Sequence, residues 1–279
     1  MECKDIEWAA FLFNAIGEDG SYIKSLNNIQ KGIKGKQKLD KDVVNEIIDF
    51  LNEWGSRAKK DSVCNSNTAS QEKGQEEGSR AKKDSVCKSI KEWYNESIDQ
   101  LAALPLSLAD LNDNNAEIIK EVYRSLGKKH GIGDTIDSKV LHIIKPDLFV
   151  PWDIPIKTWY DFQLKHDGNK KMSQEEKYLI FLKKMQKEAK SLLQQNSNFL
   201  SELNSNVKKL YEGNLEQAKN NEPQLKGEPK KLMKIRIDNY IKMVDFMKNT
   251  GKTITKYLDE YNWITITNAV KIKPEWHPD

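Results

Sequence analysis

Two short groups of residues, one starting at Gly131 and the other at Pro151, carry the chemistry open to this chain: Gly131-Ile132-Gly133 and Pro151-Trp152-Asp153. Glycines separated by one residue let the backbone turn tightly and approach a partner. If a helix follows, its first N–H groups are available to an anion. Lys128, Lys129 and His130 stand directly before the turn and would add local positive charge. Asp153 closes an apolar run, LFVPW, and a carboxylate there can stabilise a developing cation or activate an attacking group. Asp153 also precedes Ile154-Pro155, where it would cap a helix, and the two roles are compatible. Trp152, Trp159, Tyr160 and Phe162 offer aromatic faces, either to a ligand or to the core. Lys139 and His142 lie beyond the turn; the first is an amine on the helix that follows it and reads as a phosphate contact or a solvated lysine, the second a histidine between Leu141 and Ile143 that reads as a satisfied, partly buried side chain.

The elements that must hold these groups read as helices. Ile118, Ile119, Val122, Tyr123 and Leu126 have the spacing of one helical face and lead into the turn. A short amphipathic helix follows it, and IPIKTWYDFQL forms another, with Pro155 tolerated in the first turn. Upstream, apolar spacing predicts helices over 4–16, from Lys41 to Trp54-Gly55, and from about Ser89 to Leu104-Pro105. Downstream, Ser173 and Glu176 have the spacing of a capping box that opens a long helix. The Asn-, Lys- and Glu-rich stretch 196–231 reads as a weak helix plus a linker, Met233 to Met247 as a helix, and WITIT (263–267) as one short extended segment. The decapeptide GSRAKKDSVC occurs at 55–64 and again at 78–87, which is the mark of a tandem duplication in a tolerant loop. The organisation expected is N-terminal helices over 1–54, a polar, flexible insertion at 55–88, the hairpin core at 89–195, a linker-like 196–231, and a C-terminal helix and tail at 232–279 that pack on the core.

Composition narrows the class. Lys and Arg number 45 against 42 Asp and Glu, so any basic footprint is local. The mean hydropathy of -0.74 indicates exposed helices and polar loops. The apolar patch in MECKDIEWAAFLFNAIG is too short to span a bilayer and carries acidic residues where a secretory signal is basic. Cys3, Cys64 and Cys87 form neither CxxC pairs nor a metal quartet, and their odd number suits a reducing compartment. The reading is a cytoplasmic protein with no membrane partner, no obligate protein partner and no side-chain metal site.

Helix, Gly-hydrophobic-Gly hairpin, helix, and then Pro-hydrophobic-Asp about twenty residues on resembles the helix-hairpin-helix DNA glycosylases, the oxoguanine and endonuclease-type enzymes of base-excision repair. The resemblance rests on Asn115 to about Tyr160. It implies an all-α fold with two helical subdomains around a cleft. It also implies duplex DNA as the partner, held at a phosphate by Gly131, Ile132, Gly133, Thr135, Lys128, Lys129 and His130, with a monovalent cation at the hairpin carbonyls. A flipped base would meet Trp152, Trp159 or Tyr160, and Asp153 would be the catalytic carboxylate. Bifunctional relatives carry a lysine two residues after the second glycine. That position is Thr135 here, eighteen residues before Asp153 (153 − 135 = 18), so the resemblance implies monofunctional hydrolysis, with Lys139, one turn on, as the nearest displaced amine. Asp134 and Asp137 put negative charge near the phosphate site. Two other readings remain open: a catalytically inactive DNA-binding module of the same fold, and a helical protein-interaction domain in which the hairpin is only a tight turn.

Overall fold

The structure is a computed structural model that describes residues 3–15, 19–36, 38–55, 73–133, 135–166, 171–196 and 198–272. The described residues are all-α, with eleven α-helices and no strand among them. In order these are α1 (Cys3–Ala15), α2 (Asp19–Ile33), α3 (Lys41–Gly55), α4 (Lys73–Ala103), α5 (Ala116–Gly127), α6 (Ile136–Ile144), α7 (Ile154–His166), α8 (Gln174–Gln195), α9 (Phe199–Asn221), α10 (Gly227–Asn249) and α11 (Ile254–Ile272). The first copy of the repeated decapeptide lies outside the described residues except for Gly55, and the second copy lies within α4. WITIT is helical, not extended, and belongs to α11. Threonine in a helix can satisfy its hydroxyl on the preceding turn, and Thr265 and Thr267 do so, donating to the Tyr261 and Trp263 carbonyls.

The chain divides into two compact units, Lys24–Lys184 and Met1–Ile23 with Met185–Asp279. In the first, α5 buries Ile119, Val122, Tyr123 and Leu126, an i, i+3, i+4, i+7 stripe directed at the core. The Trp93 indole N–H of α4 donates to the Val122 carbonyl (3.2 Å) and to Ser125 Oγ (3.1 Å), tying α4 to α5. Helix α6 is buried from Asp137 to Ile144, so its polar groups must all find partners inside. Its last carbonyls are capped by the Gln30 amide, 2.5 Å from the Ile143 oxygen, and the C-terminus of α4 is capped by the Lys145 ammonium on Leu101 and Leu104 (2.9 and 3.0 Å). An aromatic core of Tyr123, Trp152, Tyr178 and Phe181 lies beside it, with the Tyr123 and Tyr178 rings stacked at 4.4 Å.

In the second unit α1 packs on α9 and α11, and α9 pairs with α10. Ala9 and Phe13 meet Ile264, with the Trp263 ring edge-on to Phe13 at 5.6 Å.

Candidate functional site

Gly131 lies in the left-handed region, φ +77°, and a Cβ added there would come within 2.7 Å of the Val86 side chain on α4. Both facts demand glycine. Gly133 has a negative φ and open space around it, so its requirement is weaker. Ile132 between them is buried and anchors the turn, while both glycines stay exposed. The turn is fixed from below by Ser89, whose hydroxyl donates to the His130 carbonyl at 2.9 Å.

The first turn of α6 already serves itself. Ile136 and Asp137 N–H donate to the Gly133 carbonyl (2.8 and 3.3 Å), and Ser138 N–H donates to the Asp137 carboxylate at 2.7 Å. That carboxylate therefore occupies a place where an external anion would sit. Among the described residues, the backbone N–H groups of Gly131, Gly133 and Thr135 donate to no protein acceptor. Lys128 and His130 are exposed, whereas the Lys129 ammonium is held 2.7 Å from Glu96. Asp134 lies outside the described residues. Three hairpin carbonyls, those of Lys129, His130 and Gly133, accept protein donors.

A clamp joins the turn to the second residue group. Ser138 Oγ lies 3.3 Å from the Trp152 carbonyl and 3.2 Å from the Trp152 nitrogen, so it donates to one and accepts from the other. Asp153 follows at once, half-buried, and its carbonyl accepts the Lys157 N–H (2.8 Å) as α7 begins. Thr135 is half-buried at the N-cap of α6, and Lys139, next to Ser138, is buried rather than solvated. Trp152 is fully buried, its indole donating to the Tyr123 hydroxyl at 3.1 Å, and Tyr160 is buried edge-on to Phe181. Trp159 is half-buried on α7. The apolar groups exposed on that helix are Ile154 and Phe162, at 52% and 61%. Burial, and then the Asp137 carboxylate, push the Tyr178 phenol well above its usual range, and the same two causes act on Tyr123. Both phenols therefore stay protonated, and that of Tyr178 donates to the Val150 carbonyl at 3.0 Å. His142 is fully buried, and its Nδ1 pairs with the Phe149 carbonyl at 2.6 Å.

Sequence reasoning missed Ser138, whose hydroxyl holds the two groups together and carries no motif of its own. It also missed a buried ion cluster in the second unit. Lys252 pairs with Glu260 (2.7 Å), and Lys256 with Asp259 and Glu260 (3.0 and 3.5 Å). Lys256 also lies over the Phe13 and Tyr22 rings at 4.4 and 4.9 Å. Lys252, Lys256 and Glu260 stand at i, i+4 and i+8, a pattern visible in the sequence. Two cations stand against two carboxylates, so their formal charges cancel. Among the described residues no three His, Cys, Asp or Glu side chains converge as for a metal ion, and no helix is long and apolar enough to cross a membrane. No family model, curated protein or solved structure matches the chain.

Proposed function

We propose that the protein binds damaged or mismatched duplex DNA through the Gly131–Gly133 turn and hydrolyses an N-glycosidic bond with Asp153, as a monofunctional member of the helix-hairpin-helix glycosylases. The observation that carries this reading is the Ser138 clamp, which holds the exposed glycine turn and the residue before Asp153 on one rigid support. The N–H groups of Gly131, Gly133 and Thr135, which donate to no backbone acceptor among the described residues, would grip a phosphate, with Lys128 adding charge. As the base leaves with the bonding electrons, the sugar carbon turns cationic. The Asp153 carboxylate stabilises it, and water adds to the opposite side, its proton ending on the departed base, which leaves a neutral base and a sugar hydroxyl. With Thr135 in place of an amine, no covalent intermediate forms.

A second reading, the same module without catalysis, is favoured by one observation: Trp152 and Tyr160 belong to the core, leaving Ile154 and Phe162 as the apolar groups exposed on α7. One experiment separates the two. The full chain is assayed for base release on a panel of lesion duplexes, and for duplex binding across a salt series. Catalysis predicts release that falls by about 100-fold or more in Asp153→Asn while binding persists. Salt-sensitive binding without release leaves the silent module, and no binding at all removes both.

A further inference from the structure

The α9–α10 hairpin of the second unit holds a groove lined by two facing stripes. Asn214, Gln217 and Asn221 stand at i, i+3 and i+7 on α9, and Met233, Arg236 and Tyr240 repeat that spacing on α10. Ala218 floors it, leaving room where a larger side chain would fill the hairpin. Among the described residues, no hydrogen bond or ion pair engages the three carboxamides or the Arg236 guanidinium. Carboxamides donate and accept together, as base edges do, while a phenol ring and a guanidinium plane offer stacking surfaces. The flank is charged to match a phosphate chain: residues 222–238 hold Lys226, Lys230, Lys231, Lys234 and Arg236 against Glu222, Glu228 and Asp238. Lys230 and Lys231 lean on Glu222 and Glu228 at 3.4 Å, and among the described residues Lys234 has no such pairing.

We propose that this groove binds single-stranded nucleic acid, a base stacking on Tyr240 and Arg236, the α9 carboxamides meeting its edge, and the α10 lysines following the backbone. Carboxamide ladders also hold extended peptides, but the cationic flank selects a polyanion. The inference is independent of the hairpin turn and of Asp153.

Fluorescence anisotropy of the full chain with labelled oligothymidylate and oligoadenylate of about 12 nucleotides tests it. Wild type should bind both. Tyr240→Ala should weaken binding by about tenfold or more, whereas Tyr240→Phe keeps most of it. Lys234→Gln should lower the slope of log K against log salt by about 0.7. Lys41→Gln, at the exposed start of α3, should leave it unchanged, which ties any loss to the groove and not to charge in general. Arg236→Gln and Gln217→Ala, at exposed positions, serve where Tyr240→Ala loses helicity by circular dichroism. No single-strand binding, binding untouched by all the groove variants, or equal affinity for polyglutamate would overturn the proposal.

Discussion

A methyl group distinguishes the two glycines of the turn. At Gly131 it would face a left-handed backbone and the Val86 side chain 2.7 Å away, and at Gly133 it would meet open space. The left-handed conformation alone costs an L-residue about 1–2 kcal/mol, and displacing Val86 adds to it. Gly131→Ala should therefore lower stability by about 2 kcal/mol, and Gly133→Ala by less than about 0.5 kcal/mol. Urea denaturation of both variants checks this, and equal losses would show that the turn is not held as described. The glycine pair was legible in the sequence because its requirement is local. Which glycine carries the strain was not, since Val86 reaches it from α4. The same limit applies to Asp137, which reads as charge near a phosphate site. In the fold it closes the first turn of its own helix by accepting the Ser138 N–H, and it faces two buried phenols.

Among the elements, the helices whose signals are local were readable: the apolar stripe of α5, the proline-tolerant start of α7 and the capping box of α8. In that box Glu176 accepts the Ser173 N–H at 2.8 Å and Ser173 Oγ accepts the Glu176 N–H at 3.4 Å. The Ser173 backbone N–H, then its side chain, hold the Glu176 carboxyl below its ordinary 4.5. A carboxyl lowered in the folded state contributes stability above its unfolded pKa and loses it as pH falls through the folded one. Glu176→Gln keeps the reciprocal geometry and removes the charge, so wild type should be the more stable near neutrality and the two should converge well below pH 4.5. Thermal melts at both ends of that range decide it, and a gap that persists in acid would rule the charge out as the cause. Elements that depend on distant partners were not readable. WITIT has a β-branched alternation, yet α11 buries Ile264 against Ala9 and Phe13 of α1, and packing overrides propensity. Lys252 and Lys256 carry no local mark of burial, because the rings beside them, Phe13, Tyr22 and Tyr211, come from far away in sequence.

For the molecule as a whole, the division of the chain runs against sequence order. The first helix belongs with the last three, while Lys24–Lys184, which contains the glycine turn, Ser138 and Asp153, is continuous. That segment has its own core, with Trp93, Phe149, Trp152 and Tyr178 all fully buried, and its length lies within the range of independently stable domains. Expressed alone, residues 24–184 should therefore unfold cooperatively and keep native near-ultraviolet dichroism. Removing residues 1–23 from the full chain should act on the other unit. It deletes Phe13 and Tyr22, exposing Ile264 and stripping those two rings from the Lys256 ammonium, which keeps its ion pairs with Asp259 and Glu260. Loss of one buried phenylalanine costs about 3–5 kcal/mol, and here a helix goes with it. Amide hydrogen exchange on the truncated chain should show protection collapsing over α9 to α11 and persisting over α5 and α6. Uniform loss of protection would mean that the two units fold as one. Unchanged protection in α11 would mean that α1 contributes nothing to its burial.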